Sequence, residues 1–463
     1  MTLVTTTPDH DRPPRAERDL WGHANFLRLW AAQAVSAFGS RITRTALPII
    51  AVITLGQPES MIGVLAAMQL VPGIALAMVA GGVVDRGHKR RILIGAALVR
   101  AALVASLTVA WAFGALAMVH VILVGAGVGA ATALFQITDV AYLPQLIGRR
   151  RLAEGNTKLE TTEAIAEITG PASAGVLISA LGAPLAVAID AATYLWSALM
   201  LGRIRGDTGA EPPGPSQRPG PPGPPGRDDA PAAGELGPDA AAVRTGEDFR
   251  IGLRAVFGHP VVRPIILTLM MWSVTGGFFI ALYTPFCLRT IGLSEQVFGL
   301  IIAMGGVGSL AGAMLARGLM HRLGVGRTLL VTSTLSLSCT LCIPIAAGCA
   351  SHAAAIGFLA AHQLLGDGFS VAFVIVAVTV RQTSLPREVL GRANAAILVA
   401  TTGMLVLSSL LAGGLASLIG IRAAVWIGML IGLTAPLLLW PVRRVRDMPP
   451  GDLGASHPAG HPG

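Results

Sequence analysis

Long apolar runs alternate with short polar or charged turns along most of the chain, and their lengths predict membrane-spanning helices rather than strands or core helices. Six such runs fall in the first half, over 27–55, 60–84, 92–113, 117–140, 160–182 and 184–203. Six more fall in the second, over 264–287, 295–317, 328–348, 353–380, 394–418 and 422–442. Residues 1–25 are polar and charged and hold no early apolar stretch of the kind a cleaved leader has, so the first run is expected to stay in the membrane. The predicted fold class is an all-α membrane protein with twelve spans in two bundles. Its expected parts are a tail over 1–25, a six-helix bundle over 26–203, a linker over 204–262, a second six-helix bundle over 263–443 and a tail over 444–463.

The linker is different in kind. In PPGPSQRPGPPGPPG (212–226) twelve of fifteen residues are Pro or Gly, and the Gly-X-Y register is too short and broken for collagen. Such a segment has nothing to bury and is expected to be a flexible connector. FRIGLRAVF (249–257), with apolar and basic groups at helical spacing, is expected to form an interfacial helix leading into the seventh span.

Composition agrees with this pattern. Of 463 residues, 53% are hydrophobic and only 13% charged, too few charges to clothe a water-exposed surface. A net charge of +9 is of the kind nucleic-acid binders carry, but the placement of the basic residues explains it otherwise. With the N-terminus inside and twelve crossings, 29 of the 34 Lys and Arg fall on the cytoplasmic side. Only Arg289 and Arg422 fall outside, and Arg41, Arg44 and Arg100 lie within spans. That asymmetry puts both termini in the cytoplasm of a multi-pass protein of the cell membrane, with no call for a nucleic-acid partner.

The four cysteines all sit in apolar stretches without metal-ligand spacing, so they are expected to be packing residues, and no metal is expected. No phosphate-binding loop of the GxxxxGK[ST] form and no nucleophile elbow occurs, and the glycines of 306–311 follow no strand–helix unit, so no cofactor and no enzymatic activity are expected.

The halves echo each other. Leu152, Asn156, Gly175, Gly182 and Ile189 recur as Leu390, Asn394, Gly413, Gly420 and Ile427, each 238 positions on. Gly82, Arg86 and Arg91 recur as Gly318, Arg322 and Arg327 at an offset of 236. Two parallel six-span repeats imply a cavity between them near the midplane, exposed to one side at a time by rocking of the halves.

Two motifs carry a family resemblance. The loop after the second span reads Gly81-Gly82-Val83-Val84-Asp85-Arg86-Gly87-His88-Lys89-Arg90-Arg91. It resembles the signature loop of the major facilitator superfamily, which implies the major facilitator fold and a cytoplasmic gate built from Gly81, Gly82, Asp85, Arg86, Arg90 and Arg91. The plainer reading is a basic cluster that only sets topology. His88 stands where that signature often has glycine, and His321 stands where the second copy would have the acid. In the fifth span, Gly170-Pro171-Ala172-Ser173-Ala174-Gly175 is similar to the antiporter motif of the same family, with Ala174 in place of one glycine. There Gly170, Pro171, Ala174 and Gly175 imply export, the plainer reading being close helix packing. With 25–48, 142–156 and 381–394, these stretches resemble the macrolide-efflux and enterobactin-exporter branch of twelve-span proton-coupled drug antiporters.

Charges within the spans point to mechanism. A charged side chain at the bilayer centre costs about 2.5–3.5 kcal/mol on insertion scales, so each one needs a partner or an aqueous path. Arg41 and Arg44 share one helical face, as do Glu163 and Glu167. Asp367 is the only acid deep in the second half. Asp367, Glu167, Glu163, Arg41 and Arg44 are therefore the candidates for proton coupling, Asp367 first and Glu167, opposed to Arg41, second. Asp190 and Arg100 read better as a structural ion pair, Asp139 as a wet residue near the cytoplasmic end, and His362 as a satisfied polar group. Gln33, Gln69, Gln136, Trp272, Phe279, Tyr283 and Gln363 are candidates to line a mostly apolar substrate cavity.

The function expected from the whole is export of a small apolar or amphipathic molecule by a monomer, with protons as the coupling partner. An importer or lysolipid flippase of the same fold is the alternative. A non-transporting receptor or scaffold is the alternative from another class.

Overall fold

A computed structural model describes residues 20–205 and 249–445, apart from the side chains of 77–83, 85, 86, 149 and 387. The expected linker run 212–226, residues 1–19 of the N-terminal tail and residues 446–463 of the C-terminal tail lie outside the described residues.

Among the described residues the chain forms two sets of six long helices. The first comprises α1 (Ala24–Ile49), α2 (Glu59–Arg86), α3 (Lys89–Ala112), α4 (Met118–Ile147), α5 (Leu152–Leu181) and α6 (Ala183–Gly202). The second comprises α7 (Val262–Thr290), α8 (Glu295–Leu323), α9 (Val325–Ala346), α10 (His352–Ser384), α11 (Arg387–Ile419) and α12 (Ile421–Arg444). Eleven of these are long and apolar enough to cross a membrane; α1, which carries Arg28, Arg41 and Arg44, is not among them. The helices outrun the apolar stretches that announce them. α5 starts at Leu152, well before the expected 160, because LAEGNTKLE closes its backbone hydrogen bonds as a helix whether or not its side chains are apolar.

The ends of the helices show the repeat. Gly182 (φ +81°) is the whole turn between α5 and α6, and its counterpart Gly420 (φ +88°) is the whole turn between α11 and α12. A left-handed backbone at a one-residue turn favours glycine, which explains why the residue recurs at the offset of 238. Likewise α1 ends in a π turn over Ile50–Thr54, and α7 ends in one over Phe286–Thr290, 236 positions later.

The N- and C-terminal bundles meet through α5 with α8 and α2 with α11. The largest apolar cluster runs across this junction, joining Ile49, Ile62 and Ile178 of the first bundle to Phe286, Phe298 and Ala412 of the second. Residues 249–258 are helical, and Val256 is buried with Val262, Ile266, Leu385 and Ala393. A Cβ on Gly252 would lie 2.4 Å from the Arg392 carbonyl oxygen, so this segment packs against the start of α11 as well as lying at the bundle's edge.

Candidate functional site

Between the bundles lies a cavity of about 2430 Å³. It reaches from Leu47, Ala66 and Phe298, toward the far ends of α1, α2 and α8, to Pro144, Leu152, Asn156, Phe249 and Gly391 at the helix ends on the linker side. On that side the wall residues belong to both halves and the halves stand apart. The cavity is therefore open toward the face that carries the linker.

The opposite face is closed by close helix crossings and one ionic tie. A Cβ on Gly175 of α5 would fall 2.9 Å from the Cα of Gly299 on α8, and one on Gly63 of α2 would fall 3.1 Å from the Cα of Gly413 on α11. Gly413 follows Gly175 by 238 positions and Gly299 follows Gly63 by 236, so the two crossings are images of each other. Glycine at all four positions lets the helix backbones touch. From the α7 end, Arg289 donates to the carbonyl oxygens of Val52 at 2.5 Å and Gln57 at 2.8 Å, and lies 3.6 Å from the Glu59 carboxylate. Gln296 of α8 adds a donor to the Ser179 hydroxyl of α5 at 2.6 Å. Arg289 figures in the sequence only as an outside charge, although the 236 offset pairs the π turn that carries it with the one it grips.

The four charges expected on α1 and α5 come together. Arg41 is buried and bridges both Glu163 and Glu167, while Arg44, with a side chain 66% exposed, stands 3.9 Å from Glu167. Gly170 makes room for this: a Cβ there would fall 2.6 Å from the Arg41 Cγ. The antiporter-like motif thus serves two neighbours at once, Gly170 the Arg41 stem and Gly175 the crossing with α8. Pro171 and Ala174 are buried between them.

Asp367 stands apart from this cluster. It follows a π turn over His362–Gly366, and its Oδ2 occupies the space a Cβ on Gly305 would need. Among the described residues it makes no hydrogen bond or ion pair. Gly306, the next residue of α8, abuts Ile168, the neighbour of Glu167, so Asp367 lies beside the seam between the bundles. Neither Asp367 nor Glu167 is on the cavity wall itself, whereas Arg44 and Glu163 are.

Of the residues expected to line the cavity, Gln33, Gln69, Gln136, Phe279, Tyr283 and Gln363 do so. Trp272 does not. It stacks on Phe373 with ring centres 4.8 Å apart, among apolar residues of α7, α9 and α10. Trp272 and Phe279 are seven residues apart, almost two full turns, so they share a face of α7; Trp272 sits about 10 Å nearer the linker side, where Phe373 covers it. Phe279 and Tyr283 stack at 4.4 Å, and Gln33 donates to the Asp139 carboxylate at 2.6 Å, so Asp139 is held in the cavity wall. Asp190 and Arg100 are not an ion pair among the described residues. Asp190 accepts from the hydroxyls of Thr43 and Thr193, and Arg100 lies between the rings of Phe135 and Tyr194. His362 is buried, bonded to the Cys339 backbone and with Nδ1 unpartnered, so it is satisfied in part.

In the expected gate, Gly81, Gly82, Asp85 and Arg86 have side chains outside those described, and helix α2 runs through them to Arg86. Arg90 turns to its own bundle, donating from Nε to the Leu201 carbonyl at 2.9 Å and from a second nitrogen to that of Gly202, where it caps α6. Arg91 is exposed.

Two pseudo-symmetric bundles around a central cavity, sealed on one face and open on the other, define a carrier that works by alternating access. The chain belongs to the Major Facilitator Superfamily, which it matches over residues 29–401. Its fold is similar to that of a bacterial homologue of the iron transporter ferroportin in an inward-facing state, at TM-score 0.66 and 14% identity over 91% of this chain and 98% of that one. It is similar also to a bacterial homologue of the human lysosomal transporter Spinster, inward-facing and unoccupied, at TM-score 0.63 and 15% identity over 92% and 99%. The nucleoside transporter NupG matches at TM-score 0.63 and 12% identity over 90% and 97%. These likenesses are of fold. No curated protein matches the chain.

Proposed function

We propose that the protein exports small amphipathic molecules from the cytoplasm in exchange for protons, within the drug-antiporter branch that its motifs resemble. The observation that carries this reading is the pairing of a large, mostly apolar cavity with ionisable groups set just behind its wall. Arg41 holds Glu163 and Glu167 on one side of the seam, and the unpartnered Asp367 stands on the other. A carboxylate without a partner in such a place is a natural proton carrier, since taking up a proton removes a charge from apolar surroundings. The basic linker face is taken as cytoplasmic, so the cavity is drawn open to the compartment from which substrate is loaded.

The cycle runs as follows. Substrate enters from the linker face; the glycine crossings and the Arg289 tie on the far face part as the gate loop closes; substrate leaves outward; and a proton reaching Asp367 or Glu167 from outside favours the return. Uptake of a fluorescent amphipathic dye into inverted membrane vesicles tests this. Uptake should need a proton gradient, stop with an uncoupler, and fall in Asp367→Asn while dye binding persists. Uptake that survives gradient collapse rejects proton coupling.

A further inference from the structure

Arg100 is 4% exposed, on α3, and it reaches the cavity wall. Its guanidinium carbon sits 4.4 Å from the ring centre of Phe135 and 4.5 Å from that of Tyr194. The two aromatic faces hold the guanidinium and partly offset its charge, but they accept no in-plane hydrogen bond. A guanidinium has five N–H donors, and here Nε and Nη2 have no partner. No carboxylate lies within ion-pair distance of it among the described residues.

The nearby acids are already engaged. Asp190 is held by the Thr43 and Thr193 hydroxyls, Asp139 by Gln33, and Glu163 by Arg41. The second cation on this wall, Arg44, is largely exposed and only 3.9 Å from Glu167, the limit of an ion pair. Arg44 and Arg100 line the same cavity, from α1 and α3. The first-bundle wall of the cavity therefore presents one buried guanidinium with unpartnered donors, Arg100, and a second, Arg44, whose ion pair is at the limit of range.

We propose that Arg44 and Arg100 form a subsite for an oxyanion, a carboxylate, sulfonate or phosphate, carried on the apolar body of the transported molecule. The proposal rests on the cavity being the transport site, and it narrows the substrate class to amphipathic anions. A planar guanidinium matches an oxyanion through two parallel N–H···O bonds, and a buried donor fork gains from a ligand that supplies the missing acceptors. The apolar lining takes up the rest of the molecule.

The test uses two dyes that differ by one group: 1-anilinonaphthalene-8-sulfonate and its uncharged parent, N-phenyl-1-naphthylamine. The sulfonate stays ionised at any working pH, so its binding does not report on proton coupling. Purified protein in phosphatidylcholine nanodiscs, corrected against empty discs, should bind the sulfonate about tenfold more tightly than the parent. Arg100→Gln should bring that ratio close to one, Arg44→Gln should lower it in part, and Arg100→Lys should keep an intermediate ratio. If Arg100→Gln does not fold, Arg44→Gln and Arg100→Lys carry the comparison.

Equal binding of the two dyes by the unmodified protein, or a ratio unmoved by these substitutions, overturns the proposal. Adding phosphatidylglycerol to the discs separates the source of the oxyanion: unchanged sulfonate affinity supports the substrate subsite, whereas competition by this lipid makes it a headgroup site and overturns the proposal. In proteoliposomes, movement of the parent dye without sulfonate preference removes only the anion claim. Movement of neither dye removes the transport reading beneath it.

Discussion

Gly175 and Gly299 face each other across the seam so closely that a Cβ on either would fall within 3.0 Å of the other's Cα. Their symmetry mates Gly413 and Gly63 do nearly the same on the other side of the cavity. The closed face therefore rests on backbone contact, and anything larger than hydrogen at these positions must push the bundles apart.

Gly175→Val should consequently favour the state in which this face is open. Overpacking costs about 1–3 kcal/mol, which corresponds to roughly a five- to hundredfold change in the balance of the two states. Spin labels on Ala115→Cys and Ala350→Cys, in the loops of the two bundles on this face, would report a new population at longer distance. A distance distribution unchanged by Gly175→Val means that the crossing does not hold the face shut.

Arg289 makes the ionic part of the same closure, and its donors engage backbone carbonyls that no side-chain substitution at Val52 or Gln57 removes. Arg289→Gln should speed hydrogen exchange across 50–58 by about tenfold, because that segment opens more often once its carbonyls lose a charged donor. Arg289→Lys keeps the charge but not the fork and should fall between. Equal exchange rates in all three proteins would show that Arg289 is a bystander.

Arg41 is buried between two carboxylates that are each about half exposed, so the arginine has far more to lose than its partners. Arg41→Gln leaves Glu163 and Glu167 repelling each other one helical turn apart and should lower Tm more than either Glu→Gln change. Restoring neutrality in the triple variant Arg41→Gln, Glu163→Gln, Glu167→Gln should recover part of the loss. A triple variant as unstable as the sum of the singles would show that the three side chains do not act as a unit.

How much of this is legible in sequence depends on range. Hydropathy finds the spans because apolar length is a property of each segment alone, and it stops short of their polar ends because helix continues past the apolar stretch, as at Leu152. The pairing of Arg41 with Glu167 is readable because a charge in hydrocarbon must be matched. Trp272 and Phe279 look equivalent on one face of one helix, and only the neighbours met at their different depths separate core from cavity. Arg289 is silent for a different reason: its partners are the main-chain carbonyls of Val52 and Gln57, which every residue possesses. The glycine crossings were half visible, since the 238 and 236 offsets pair Gly175 with Gly413 and Gly63 with Gly299, but not across the seam.

Gly305 offers the sharpest probe of Asp367. A Cβ added there would fall 2.2 Å from Asp367 Oδ2, and the carboxylate can rotate away because it is the end of a side chain and makes no bond that anchors it. Gly305→Ala should therefore leave Tm nearly unchanged while moving the carboxylate from its place beside the seam. If that place is what links proton uptake to the conformational change, proton-driven dye uptake should fall by about tenfold or more, in keeping with the sensitivity of such groups to displacements near 1 Å. Substrate counterflow, which needs no net proton movement, should be retained. Loss of both activities together would point to damage of the helix packing between α8 and α10, and full retention of driven uptake would remove Asp367 from the coupling path.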